Sequence, residues 1–243
     1  MNIFLTALGC KLNQAEIEAM ARQIEAMGHR VVLRPQEAEW AIVNTCTVTH
    51  VAARKSRQLI RRLRRARADL RIAVTGCYAD LSPEEVRAID GVRLIVSNQD
   101  KDRILDRIPG LVPRRCGEAA KIEAPCRDSA GPLPRRSPLG RTRAFVKIQD
   151  GCDNRCAYCI VTVARGSQRS RAPDSILSEI SDRLAVGYQE VVLTGVHIGA
   201  YGHDSPANGP LPPSAGWSLA RLVRAILEDT DVRRLRLSSN EPW

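Results

Sequence analysis

The chain is short of aromatic side chains, which make up 4% of its 243 residues as three Trp, four Tyr and two Phe. That is poor equipment for a protein that binds nucleic acid mainly by stacking bases on aromatic platforms. No apolar run approaches the roughly 18 residues needed to cross a bilayer, so no membrane partner is expected. The opening residues Met1–Leu12 lack the basic segment and small-residue cleavage site of a secretory signal, and cytoplasm is the expected location. Acid is also in deficit. Asp+Glu number 27 against 37 Lys+Arg, leaving a formal charge of +10. With a pI near 9.6, this imbalance points to a polyanionic partner.

The remaining composition is that of a globular chain. Hydrophobic residues at 44% and charged residues at 26% exclude a disordered or collagen-like protein, and the length suits one or two domains. Eight cysteines without a secretory signal read as metal ligands or catalytic thiols before disulfides.

The first hundred residues alternate strand and helix signals. Short β-rich runs at Asn2–Leu8, Val31–Leu33, Trp40–Thr45, Arg71–Thr75 and Arg93–Ser97 are expected to be buried strands. A helix with Ile17, Met20, Ala21, Ile24 and Met27 on one face falls between the first two and ends at Gly28. A second helical pattern carries Leu59, Ile60, Leu63 and Leu70. A third begins near Ser82-Pro83-Glu84, with Ser expected as cap. Such alternation implies βαβ units and a parallel sheet. Residues 109–141, with Pro109, Pro113, Pro125, Pro132, Pro134 and Pro138, read as a connector between a domain at 1–108 and another at 142–243. In the second domain strands are expected at Ala144–Ile148, Glu190–Thr194 and Arg233–Leu237, and helices at Asp174–Ala185 and Leu219–Leu227. Too few strands follow for a closed barrel.

Cys152, Cys156 and Cys159 form C-x₃-C-x₂-C directly after an expected strand, a spacing that chance yields in roughly one such chain in a hundred. Iron–sulfur cubanes are held by Cys thiolates and need four for closure. Three on one loop leave an iron open, as in a catalytic metal site; a zinc knuckle completed by a distant His is the alternative. Cys10, Cys46 and Cys77 each follow a strand, in Leu-Gly-Cys-Lys, Asn-Thr-Cys-Thr and Thr-Gly-Cys-Tyr. In an open parallel sheet the carboxyl-end loops converge on one edge, so these three could meet in space; three ordinary buried thiols are the alternative. Neighbouring Gly would let the backbone approach a bulky cofactor. Cys116 and Cys126, in the connector, read as incidental. Finally, Arg54–Arg71 carries nine Lys/Arg and one acid, Asp69. Arg57, Arg61, Arg64 and Arg65 are candidates for phosphate contacts, with a solvated helix face as the alternative.

Taken together, these motifs resemble a known family. The triplet Cys152/Cys156/Cys159 is similar to the cluster motif of radical S-adenosylmethionine enzymes. Leu-Gly-Cys-Lys-Leu-Asn-Gln at 8–14, Asn-Thr-Cys-Thr-Val-Thr at 44–49 and Val-Thr-Gly-Cys at 74–77 resemble the N-terminal domain of methylthiotransferases. Gly195-Val-His-Ile-Gly-Ala-Tyr-Gly202 and Leu237-Ser-Ser-Asn-Glu-Pro242 resemble the MtaB branch, which acts on threonylcarbamoyladenosine in tRNA. The resemblance implies an α/β fold: a parallel-sheet methylthiotransferase domain, then the first part of a radical-SAM β/α partial barrel. It implies two [4Fe-4S] clusters, one on each cysteine triplet, and S-adenosylmethionine as cofactor. One cluster would cleave S-adenosylmethionine reductively to generate a 5′-deoxyadenosyl radical, and the other would deliver a methylated sulfur to C2 of the adenine. Tyr158 would lie by the cofactor's adenine, and Thr194, Gly195 and His197 near its methionine part. The implied partners are a tRNA anticodon stem-loop and a flavodoxin- or ferredoxin-like electron donor. Sister activities, on isopentenyl-adenosine or a ribosomal-protein aspartate, and a zinc-stabilised RNA-binding module without chemistry are the competing readings. Thr162 and Val163 stand where the family has Pro and an aromatic, and Asn240 where it tends to have Ile. The family continues into a full barrel and an RNA-binding domain, so a C-terminally truncated chain with little activity of its own is expected.

Overall fold

A computed structural model describes residues 1–111, 139, 142–204 and 214–238. Its first part is a five-stranded, fully parallel sheet in the order β2-β1-β3-β4-β5. The strands are β1 (Asn2–Ala7), β2 (Arg30–Val32), β3 (Trp40–Thr45), β4 (Arg71–Gly76) and β5 (Val92–Ile95). All five expected strands are present within one or two residues of the sequence reading. Successive side chains on β3 enter opposite cores: Trp40 and Ile42 one, Ala41 and Val43 the other. Because helices cover both faces, the strand reads as a continuous apolar run rather than an alternation.

On one face lie helix α1 (Lys11–Ala26) and the segment of Ile104, Leu105, Ile108 and Leu111. On the other lie α2 (His50–Ala66) and the short α3 (Cys77–Leu81) and α4 (Pro83–Arg87). Thr49 caps α2, its hydroxyl accepting from Ala52 N at 3.1 Å. Two expectations are corrected here. Leu70 is not on α2: Arg67 ends the helix in extended geometry, and its guanidinium donates to the Gln36 and Ala38 carbonyls and to Asp69. Leu70 is buried instead in the turn before β4. Ser82 precedes α4, but its side chain accepts no capping bond; Pro83 in the first turn starts the helix.

The second part holds a parallel three-stranded sheet ordered β10-β9-β6. Its strands are β6 (Ala144–Lys147), β9 (Glu190–Thr194) and β10 (Arg234–Leu237). Helices α6 (Pro173–Ala185) and α7 (Leu219–Asp229) close its core around Val146, Ile148, Ile176, Ile180, Leu193 and Tyr201. A small antiparallel ribbon of β7 (Gln149–Asp150) and β8 (Arg169–Ser170), absent from the sequence reading, frames the loop at 151–168, with α5 (Val161–Arg165) inside it. At two residues a strand, such a ribbon leaves no periodic signal.

The two sheets share α1. Ile17, Met20 and Ile24 face the first sheet; Ala15 packs with Phe145 and Val192 of the second. A helix gripped on two sides buries polar residues as well, and Asn13, Glu16 and Glu18 are each at most 5% exposed. The expected connector falls largely outside the described residues, as do Cys116, Cys126 and Asn240.

Candidate metal centres

Cys10 is the N-cap residue of α1, Cys46 follows β3 and Cys77 opens α3 after β4. All three therefore sit at the carboxyl edge of adjacent parallel strands, where the topology converges. Cys46 and Cys77 are buried and Cys10 is exposed. The glycines beside them have a role in the packing of the chain itself. Gly9 and Gly76 adopt φ of 107° and 93°, in the region that favours Gly. A Cβ on Gly9 would meet Cys46 Cβ at 2.7 Å, and one on Gly76 would collide with the Thr45 carbonyl and Asn44. They let the three cysteine loops approach one another, before any cofactor is considered.

Asn13 gathers these loops. Its Nδ2 donates to Leu8 O at 2.7 Å and Thr45 O at 3.1 Å, while its Oδ1 lies 3.8 Å from Cys10 Sγ. Ser56 brackets Cys46, accepting from its N–H and donating to its carbonyl. Asn98 Nδ2 lies 3.9 Å from Cys77 Sγ. Burial pushes the Cys77 thiol pKa up, opposed by Arg165 and Lys101 nearby.

The second set, Cys152, Cys156 and Cys159, lies on the loop between β7 and α5, with Cys156 exposed and the others half-buried. Cys159 N donates to Cys156 O, and Cys152 N to Gly166 O, so the loop is closed at both ends by its own backbone. Among the described residues no three His, Cys, Asp or Glu side chains are drawn together tightly enough to hold a single metal ion. A multi-iron cluster distributes its thiolates over separate irons, and the all-thiol donor sets suit iron–sulfur chemistry. Around the first set, buried Asn44 Oδ1, Thr75 Oγ1 and Asn98 Oδ1 have no hydrogen-bond partner. That is unusual for buried polar atoms and fits a polar group held beside the thiols.

Tyr158 is 93% exposed on the cysteine loop. Thr194 ends β9, buried. The Val196 and His197 N–H groups donate to Gln149 Oε1, both at 2.9 Å, while Gln149 Nε2 donates to the carbonyls of Asp150 and Gly151. Gln149 thereby couples the 195–197 turn to the start of the cysteine loop. Gly195 passes so close that a Cβ would come within 2.9 Å of Gln149 O. His197 Nδ1 contacts Asn154 at 3.3 Å, and its Nε2 is buried and unpartnered. Sequence reasoning missed Gln149, Asn13 and Asn98; isolated amides carry no spacing signal.

Between the two sets lies a buried charge network. Arg165, from α5, donates to Asn13 Oδ1 at 2.6 Å, Glu16 Oε1 at 3.0 Å and Asp150 Oδ1 at 2.9 Å. Glu16 also pairs with Lys101 at 2.8 Å and Lys147 at 3.6 Å, and accepts from Asn44 at 2.8 Å. Burial would raise the Glu16 carboxyl, yet Lys101, Arg165 and Lys147 outweigh it and hold the group well below its ordinary range. The basic helix α2 is less self-repelling than its sequence suggests. Arg57 reaches Tyr78 Oη and Glu85, and Arg64 pairs with Asp90 at 2.8 Å. Arg61 and Arg65 line a shallow depression beside Asp90.

This architecture defines an α/β protein with one three-cysteine set at the carboxyl edge of a parallel sheet and another on a loop beyond β7, joined by a buried ionic hub. Residues 2–97 match the sequence model of the family described as "Uncharacterized protein family UPF0004". The chain is 37% identical over 238 residues to the threonylcarbamoyladenosine tRNA methylthiotransferase MtaB of Bacillus subtilis, covering 96% of this chain and 50% of that protein. It is 35% identical over 236 residues to MtaB of Thermotoga maritima (97% and 51%). To the tRNA-2-methylthio-N(6)-dimethylallyladenosine synthase of Paracoccus denitrificans it is 31% identical over 245 residues (99% and 52%). The chain is thus a homologue of tRNA methylthiotransferases and spans about half the length of these curated relatives. Among the described residues no helix is long and apolar enough to cross a membrane.

Proposed function

We propose that this chain carries the two cluster-binding regions of a tRNA methylthiotransferase that places a methylthio group on C2 of N6-threonylcarbamoyladenosine at position 37. The observation that carries the reading is the placing of Cys10, Cys46 and Cys77 at one sheet edge, linked through Asn13 and Asn98 to the helix that follows Cys152, Cys156 and Cys159, in a chain similar to such enzymes over nearly its whole length. Cys152, Cys156 and Cys159 would hold one [4Fe-4S] cluster and S-adenosylmethionine; Cys10, Cys46 and Cys77 would hold the other. When bound, these groups supply reductive cleavage of S-adenosylmethionine and a transferable sulfur. The chain's own residues position and shield. Tyr158, exposed beside Cys159, offers a ring for the cofactor's adenine. Gln149 fixes the backbone of 195–197, so that Thr194, Gly195 and His197 form one wall of the cofactor site. Arg61 and Arg65, together with Arg57 and Arg64, offer cations to an anticodon stem-loop, and a flavodoxin- or ferredoxin-like protein would supply electrons.

Threonylcarbamoyladenosine is favoured over isopentenyl-adenosine because the MtaB relatives named above share more identity with this chain than the dimethylallyladenosine enzyme does. Anaerobic reconstitution tests the cluster chemistry: a brown protein absorbing broadly near about 400 nm is expected. A colourless protein with stoichiometric zinc would instead mark an RNA-binding module. Nucleoside analysis of tRNA from cells lacking the gene tests the substrate, with loss of the methylthio group from threonylcarbamoyladenosine alone as the expected result.

A further inference from the structure

The helix behind one cysteine loop is fastened to the pocket of the other set at two points. Asn98, 5% exposed at the carboxyl edge of the first sheet, donates to the Ala164 carbonyl of α5 at 2.6 Å, with the same Nδ2 3.9 Å from Cys77 Sγ. Its backbone N–H is held by Asp80 of α3, at 3.0 Å. One residue further along α5, Arg165 is 3% exposed and donates at 2.6 Å to Asn13 Oδ1, the atom 3.8 Å from Cys10 Sγ. Each asparagine thus touches a thiol of the first set with one hand and α5 with the other. Around them Arg165, Lys101 and Lys147 pair with Glu16 and Asp150, and Asp102 acts on Lys147 from further out.

We propose that Arg165 and Asn98 are positioning residues that lock α5 onto the Cys10/Cys46/Cys77 pocket and set the reduction potential of an iron–sulfur group held there. The inference rests on the reading that this set binds a cluster. Hydrogen bonds to the ligating sulfurs and nearby net charge are two of the means by which a protein tunes such potentials. A cation and an N–H donor beside thiolate ligands favour the more negative, reduced state, so their removal lowers the potential. Because both groups come from, or are held by, the helix that follows Cys159, displacement of that loop would be felt at the first set without any shared ligand.

The test uses the whole chain carrying Cys152→Ala, Cys156→Ala and Cys159→Ala, reconstituted anaerobically with iron and sulfide and titrated by EPR. Arg165→Gln should shift the midpoint potential downward, and Arg165→Lys, which keeps the charge, should shift it less. Arg165→Gln also leaves two buried carboxylates short of a cation and can unfold the chain. Asn98→Ala changes no charge; it should still lower the potential and alter the EPR line shape. Potentials and spectra equal to the parent in both Arg165→Lys and Asn98→Ala would overturn the inference, even if thermal stability fell. If the triple-Ala parent takes up no iron, the cluster reading of the first set fails and the inference falls with it; the parent's iron content separates these two failures.

Discussion

Removing the Glu16 carboxylate is the sharpest perturbation the interface allows. Glu16 is 5% exposed and holds Lys101 at 2.8 Å and Arg165 at 3.0 Å. In Glu16→Gln, Arg165 keeps Asp150 and Asn13, whereas Lys101, 1% exposed, loses the carboxylate 2.8 Å from its ammonium. Removing one partner of a buried pair costs about 3–5 kcal/mol, chiefly through the charge left behind. The isosteric amide can still accept from Asn44, which places the expected loss near the lower bound, about 3 kcal/mol. With a urea slope of about 2 kcal/mol per M, the unfolding midpoint should fall by about 1.5 M. Lys101→Met added to Glu16→Gln should recover part of that loss, because the orphaned cation is gone. The pH dependence has a definite sign. The folded carboxyl lies below its ordinary value of 4.5, because the three cations outweigh burial. Its contribution is therefore complete above about pH 4.5 and is lost as pH falls toward the depressed folded value. The gap between parent and Glu16→Gln should be flat between about pH 6 and 7 and narrow below about 4.5. A midpoint shift under about 0.5 M, or strict additivity in the double variant, would refute the hub as the element joining the sheets.

Further outcomes are expected. Reconstituted protein should contain about eight iron atoms per chain, and the triple replacement of Cys152, Cys156 and Cys159 by Ala about half of that, measured by iron analysis; Cys116→Ala and Cys126→Ala should leave the count unchanged. Neutralising Arg57, Arg61, Arg64 and Arg65 together should weaken binding of an anticodon stem-loop and lower the log–log salt slope by up to about 3.6. Since Arg57 and Arg64 already have carboxylate partners, the fall should lie nearer about 1.8, the share of Arg61 and Arg65; an unchanged slope leaves α2 a solvated face. Gly76→Ala should destabilise the chain by more than about 1 kcal/mol in the same urea assay, since φ there is 93° and the new Cβ would strike Thr45 O.

The parallel sheet and its helices were legible from the chain because each helix carries an apolar period and each strand is a short β-rich run. The C-x₃-C-x₂-C loop was legible because its three thiols lie within eight residues. The Cys10, Cys46 and Cys77 set followed from topology, as each cysteine is placed within three residues of a strand's end. What the residues themselves could not disclose is the second use of α1. Asn13, Glu16 and Glu18 look like the solvent face of an amphipathic helix, and only the packing of a second sheet against that face buries them. Arg165 reads as an ordinary basic residue after a cysteine motif. Its role depends on Asn13 and Glu16, about 150 positions earlier in the chain, and on Asp150 across the β7–β8 ribbon. Local patterning determined the elements and the spacing of the cysteines; the tertiary structure decided how the two sheets are joined, because a buried ion network is satisfied only when both sheets have closed on one helix.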